Sequence, residues 1–163
     1  DYSTEFQTDT AKSFFFHGRT GTGKTYLATC IGNALLKRGL RVYFVRFGEL
    51  MPGLQQYRSL QASFNPDPIR FEQAERFYLD LQEVDLLILD DLGSGIGDPG
   101  VHAAELMRLM EGRAAAKRPM LITANLDIKK ILQLYDERVL SRLLGNMTAI
   151  QFYGPDVRTT RRP

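Results

Sequence analysis

Gly18-Arg19-Thr20-Gly21-Thr22-Gly23-Lys24-Thr25 decides the reading of this chain. The stretch fits G-x-x-x-x-G-K-[ST], a loop whose backbone N–H groups close around an anionic phosphate. Gly18, Thr20, Gly21, Thr22 and Gly23 form the cradle. Lys24 can reach the β and γ phosphates, and the Thr25 hydroxyl can hold Mg²⁺. Tyr26 follows at the start of the next helix, whose positive end points at the same phosphates.

Such a loop must leave a strand and open a helix. Ser13-Phe14-Phe15-Phe16-His17 stands before it, a short aromatic run that reads as a buried strand. Residues 25–38 stand after it, with Leu27, Ile31, Ala34 and Leu35 at helical spacing and Gly39 as the stop. Cys30 lies in this helix and reads as a small core residue.

Strand and helix signals alternate from there on, the pattern of an α/β domain with a parallel sheet. Further strands are expected at Val42–Val45, Leu86–Leu89, Met120–Thr123 and Ala149–Phe152. Asp67-Pro68 and Asp98-Pro99 each read as an N-cap followed by proline at the first helical position. Their helices are expected to end near Leu81 and Ala116. Two shorter helices are expected at residues 128–135 and 137–144. Gly93-Ser94-Gly95-Ile96-Gly97 reads as a flexible loop rather than a dinucleotide fingerprint.

The third strand ends in Asp90-Asp91, two carboxylates at the end of an open α/β sheet where ligands gather. Asp90 can coordinate Mg²⁺ through water or assist Thr25. Asp91 can orient or deprotonate an attacking water. Asn125, at the end of the fourth strand, is a candidate to position that water. Arg138 and Arg142 are four apart on one helix face. They read either as surface ion-pair partners of Asp136 and Glu137 or as an arginine that neutralises charge at a neighbouring subunit's site.

The chain has 163 residues, 44% of them hydrophobic, enough for one domain with a real core. No apolar run approaches the roughly 20 residues that span a membrane, so a soluble protein is expected, with no membrane partner. No signal peptide is read at the N-terminus. A single cysteine suits a reducing cytoplasm. The net charge of +2 neither demands nor excludes nucleic acid. The chain starts at Asp1 rather than Met, so a fragment of a longer protein is expected. Residues 1–12 read as a polar linker and 13–163 as the domain.

With these residues in place the chain resembles an AAA+ ATPase. It is similar, more narrowly, to bacterial replicative-helicase loaders of the DnaC/DnaI type and to IstB-like transposition helpers. The motifs are Gly18–Thr25 (Walker A), Leu87-Ile88-Leu89-Asp90-Asp91 (Walker B), Thr123-Ala124-Asn125 (sensor 1) and Glu137-Arg138-Val139-Leu140-Ser141-Arg142 (box VII). Softer echoes are residues 33–39, Lys117-Arg118-Pro119 and Asp156-Val157-Arg158.

The resemblance implies a five-stranded parallel sheet, ATP (or ADP) with Mg²⁺, and slow hydrolysis given Asp rather than Glu at 91. It implies Lys24, Asp91 and Asn125 as catalytic residues and Arg142 as a finger acting in trans on self-assembly. It implies further a helicase partner gripped through a missing N-terminal domain, and single-stranded DNA. The helical lid of many AAA+ proteins is absent from the motif set, and Arg158 is the stand-in for its second sensor. Tyr57 and Arg58, in an inserted segment at 50–64, are the candidate DNA contacts, since a ring beside an arginine can stack a base and hold a phosphate. Phe64 lies in the same segment, and for both rings packing against the sheet is the alternative to stacking on a base. Arg108, Arg113, Lys117 and Arg118 read as a solvated basic face. A small-molecule kinase is disfavoured, having no use for a trans arginine. A transposition helper and an assembly switch with little hydrolysis stay open.

Overall fold

The computed structural model describes residues 2–8, 10–95 and 97–157. Five parallel strands form one sheet in the order β2-β3-β4-β1-β5. They are β1 (Phe14–Gly18), β2 (Val42–Arg46), β3 (Leu86–Asp90), β4 (Met120–Ala124) and β5 (Thr148–Phe152). Between them run α2 (Lys24–Lys37), α3 (Phe47–Ala62), α4 (Pro68–Glu83), α5 (Pro99–Ala115), α6 (Ile128–Leu134) and α7 (Glu137–Gly145), with α1 (Tyr2–Glu5) ahead of the first strand. Each expected strand forms, shifted or lengthened by about one residue.

Side chains alternate across the strands, so each central strand feeds two cores. Phe16, Leu86, Ile88 and Leu121 face α2 with Ala28 and Leu35. Phe15, Leu87, Leu89, Met120 and Ile122 face the other way, onto Phe47, Leu54, Leu106, Leu109, Ile131 and Val139 of the remaining helices. Burial on both faces is why β3 and β4 read as unbroken apolar runs. β5 is an edge strand and largely exposed.

The expected caps form: Asp67 accepts from Arg70 N, and Asp98 Oδ1 accepts from Gly100 N and Val101 N. Asp127 and Asp136 cap α6 and α7 in the same way. No helix among the described residues is long and apolar enough to cross a membrane.

Three local expectations are corrected. The described residues ahead of β1 do not hang off the domain as a linker: Phe6 is 3% exposed and joins the α2-side core, and the Tyr2 ring meets Phe14 edge-on. Two aromatics in a polar stretch outweigh its composition, because an exposed edge of that core is there to be covered. Cys30 is exposed, and α2 buries Lys24, Ala28, Gly32 and Leu35 instead. Leu27 therefore faces solvent; the apolar stripe is rotated by about one position because Gly32, with no side chain, lets the helix approach Ile88 and Val42. Arg113 belongs to no solvated face. It is fully buried, and its guanidinium donates to the carbonyls of Leu81 (2.8 Å), Gln82 (3.2 Å), Val84 (3.0 Å) and Pro119 (2.8 Å). It ties the end of α4 to the entries of β3 and β4.

Candidate nucleotide site

β1 delivers the phosphate loop at the C-terminal edge of the sheet, between β4 and β5. Two glycines there are obligatory on geometric grounds. Gly21 holds φ +79°, and a Cβ on it would fall 2.1 Å from Asp156 Cγ. Gly18 holds φ +129° with Phe152 O where a Cβ would go.

Lys24 is 3% exposed, and its ammonium is held over the loop by Gly18 O (3.0 Å), Arg19 O (2.6 Å) and Thr22 Oγ1 (3.3 Å). The ammonium's positive charge is thereby fixed at the loop, where the motif places the β and γ phosphates. The effect reaches His17, whose imidazole is pushed below its ordinary value by burial and then by Lys24. The Nδ1 of His17 is buried with no hydrogen-bond partner.

The two strand-end carboxylates are held differently. Asp90, 5% exposed, accepts at Oδ1 from Thr25 Oγ1 (2.8 Å) and Thr123 Oγ1 (2.7 Å). Asp91 turns the chain with φ +61°, a conformation that L side chains rarely adopt. Its N–H donates to Thr123 Oγ1 (2.9 Å), and its Oδ1 accepts from Asn125 Nδ2 (2.7 Å). Thr123 thus holds the Asp90 carboxylate and the Asp91 backbone at once, while Asn125 holds the Asp91 carboxylate. Sequence reading missed this role, although Thr123 stood in the quoted motif; a hydroxyl one residue inside a buried strand end is the signal that was available.

A cavity of about 460 Å³ opens over the loop, lined by Gly21, Gly23, Lys24, Thr25, Tyr26, Asn125 and Val157. Gly18, Thr20, Gly21, Thr22, Gly23, Lys24, Thr25, Tyr26, Asp90, Asp91 and Asn125 are therefore gathered at one edge of the sheet, as the motifs require. The donor set fits Mg²⁺: a hydroxyl and a carboxylate oxygen converge beside the loop, and hard oxygens with substrate phosphates are what that ion takes. Among the described residues no cluster of three or more His, Cys, Asp or Glu offers a cage for a metal. The segment after β5, quoted above only as a soft motif echo, comes to lie on the loop: Val157 N donates to Gly21 O (2.9 Å) and Asp156 lies against it. Arg158 lies outside the described residues.

Arg142 does not reach this cavity. It sits on α7, half-exposed, and pairs with Glu111 of α5 at 3.1 Å on the wall of a separate groove of about 720 Å³. Arg138 pairs with Asp136 at the start of α7.

The candidate DNA contacts are corrected. Tyr57 is 7% exposed and stacks on Tyr78 of α4 with 4.6 Å between centroids, so its ring has no face to offer a base. Arg58 lies over both rings and pairs with Glu105 at 3.5 Å. Phe64, for which sheet packing and base stacking were both open, is fully exposed past the end of α3. Packing α3 against α4 claims the ring that falls on their shared face and leaves the one at the turn.

The sequence profile of the IstB-like ATP binding proteins matches residues 3–158. A replicative helicase loader DnaC of Buchnera aphidicola is 33% identical over 153 residues, which cover 93% of this chain and 58% of that protein. The chain thus spans well under two thirds of the length of the curated relatives it matches. Two crystal structures superpose on it, each at 22% identity: the DnaC helicase loader, with a TM-score of 0.73 over 93% of this chain and 84% of that one, and AMPPCP-bound DnaA from Aquifex aeolicus, with 0.70 over 92% and 43%. The architecture is that of a P-loop AAA+ domain, and the chain belongs to the IstB-like ATP binding protein family.

Proposed function

We propose that this chain is the ATP-hydrolysing module of a replicative-helicase loader. The observation that carries the reading is the division of labour between Asp90 and Asp91: one bonded to Thr25 beside the phosphate loop, the other turned away onto Asn125. In this reading Thr25 and Asp90 would hold Mg²⁺, and the ion would supply positive charge beside the phosphates. Lys24 binds the β and γ phosphates. Asp91 takes the proton of the attacking water, and Asn125 holds that carboxylate and the water in line with the γ-phosphate. Asp91 is one methylene shorter than glutamate, so turnover is slow.

Arg142 acts in trans: it stands apart from its own cavity, on a groove that a second copy can enter, and would exchange Glu111 for the neighbour's phosphate charge. The relatives' name supports the loader role. Helicase contact is assigned to a further domain of the longer protein, and single-stranded DNA is the second partner, in the cytoplasm. The family description favours a second reading, a transposition helper with the same chemistry.

The experiment is ATP turnover with and without single-stranded DNA, beside Arg142→Ala, Asp91→Ala and their mixture. Turnover restored by mixing two dead variants supports a shared site. Normal turnover by Arg142→Ala removes the trans finger and favours a monomeric P-loop enzyme.

A further inference from the structure

The end of the sheet opposite the phosphate loop carries a second polar cleft, of about 440 Å³. It forms where the segment before β1, the turn after α5 and the turn before β5 meet. Lys12, Lys117 and Arg118 line it together with Ser13, Asn146 and Thr148, and no carboxylate of the described residues does. Neither Lys12 nor Lys117 is in an ion pair with a described residue. Ser13 Oγ accepts from Met120 N at 3.0 Å, which leaves its O–H to donate outward.

Two features set this cleft apart from scattered surface lysines. Pro119 in its wall is the residue whose carbonyl holds the buried Arg113 guanidinium. Among the described residues no carboxylate pairs with that guanidinium; its acceptors are backbone carbonyls, and Asp85 nearby is already engaged by the backbone N–H of Arg41. The positive charge behind the wall adds to the charge in front of it.

Lys117 is the second feature. Helix α5 ends in a Schellman turn, with Arg118 N on Arg113 O (2.8 Å) and Lys117 N on Ala114 O (3.0 Å). The residue at that turn adopts a left-handed backbone and is usually glycine. Here it is Lys117, with φ +53°, so an ammonium is held at the cleft against local backbone preference.

We propose that this cleft binds the phosphate backbone of single-stranded DNA, apart from the nucleotide site. This rests on the DNA-partner part of the proposed function and names the surface that serves it. No aromatic of the described residues lines the cleft, so it takes phosphates and reads no base. Several unneutralised cations interleaved with hydroxyl and amide donors suit a repeating phosphate chain better than the carboxylates of an acidic peptide.

The test is fluorescence polarisation of a labelled oligo-dT with the 163-residue chain, nucleotide-free, across a salt series. Replacing Lys12 and Lys117 together by Gln should weaken binding about 10-fold at low salt. It should also flatten the slope of log K against log salt by about 1.4, at about 0.7 for each phosphate that the variant leaves unneutralised, with DNA-independent ATP turnover unchanged. Lys117→Gly alone should bind DNA more weakly yet melt at a higher temperature, since it removes the charge and relieves the backbone; damage to the fold would lower the melting temperature instead. An unchanged salt slope in the double variant overturns this site and leaves the proposed function standing. If the wild-type chain binds no oligo-dT, the site and the DNA partner fall together, while ATP turnover is judged separately. Tighter, Lys117-dependent binding of poly-glutamate overturns the proposal in favour of an acidic protein partner.

Discussion

Asn125 Nδ2 donates to Asp91 Oδ1 over 2.7 Å, joining the ends of β4 and β3 beside the phosphate loop. The contact orients a carboxylate whose backbone is already set by Thr123. Asp91→Asn should lower kcat about 100-fold, the lower range of what a positioned base contributes, with nucleotide affinity within about 3-fold of wild type. Asn125→Ala should lower kcat by a smaller factor. Steady-state phosphate release and equilibrium titration with a fluorescent nucleotide separate the two quantities; a change confined to affinity would contradict the assignment.

In the proposed function Lys24 and Thr25 act on binding itself. Loss of a charge-assisted bond to phosphate is worth about 2 kcal/mol or more, so Lys24→Ala should weaken ATP about 30-fold or beyond by calorimetry. Thr25→Ala should act through the metal: the gain in affinity that Mg²⁺ gives the wild type over a chelated sample should shrink or vanish.

Arg113 is fully buried outside the nucleotide site, and changing it is costly. Arg113→Met takes the guanidinium donor from four carbonyls of the α4, β3 and β4 junction, of which Pro119 O keeps the Leu87 N–H at 3.4 Å. At about 1–3 kcal/mol for a buried group left unpaired, a loss of about 3 kcal/mol or more is expected. In a domain this size that is a drop of about 6–12 °C in melting temperature. Arg113→Lys should fall between the two, since an ammonium has three donors where the guanidinium fork has five.

His17 gives stability a pH dependence. Its folded pKa lies below the ordinary 6.5, through burial and then Lys24. The unfolded chain takes up this proton near pH 6.5 and the folded protein only at lower pH. Between those values the unfolded state binds more protons, so stability falls as pH falls through that window and levels off below it. Urea midpoints at about pH 7.5 and about pH 5.5, on either side of the ordinary histidine value, should differ less in His17→Leu than in the wild type.

The fold was legible because its signals are local. Phe14–His17, Leu86–Leu89 and Met120–Thr123 are apolar almost without interruption, and only a strand covered on both faces needs that. The Asp-Pro caps and the phosphate loop fix helix starts through bonds to residues two or three away. Tyr57, Cys30 and Phe6 were misread because their burial depends on which element lands on them, and periodicity carries no partner. Arg113 was invisible for the same reason: carbonyls from distant turns accept its donors, where a charged residue in a helix ordinarily faces water.

The sequence by itself determined the chemistry available at the sheet edge: a phosphate cradle, an ammonium, a hydroxyl, two carboxylates and an amide, each in a motif whose spacing is its function. Tertiary structure alone decided how they are shared out. Thr123 holds the Asp90 carboxylate and the Asp91 backbone, Asp156 and Val157 come to lie on Gly21, and Arg142 ends on a different face from its own loop. These relations join residues tens of positions apart through strand order and helix packing, and long-range geometry of that kind is set by burial of the two cores rather than by any local run of the chain.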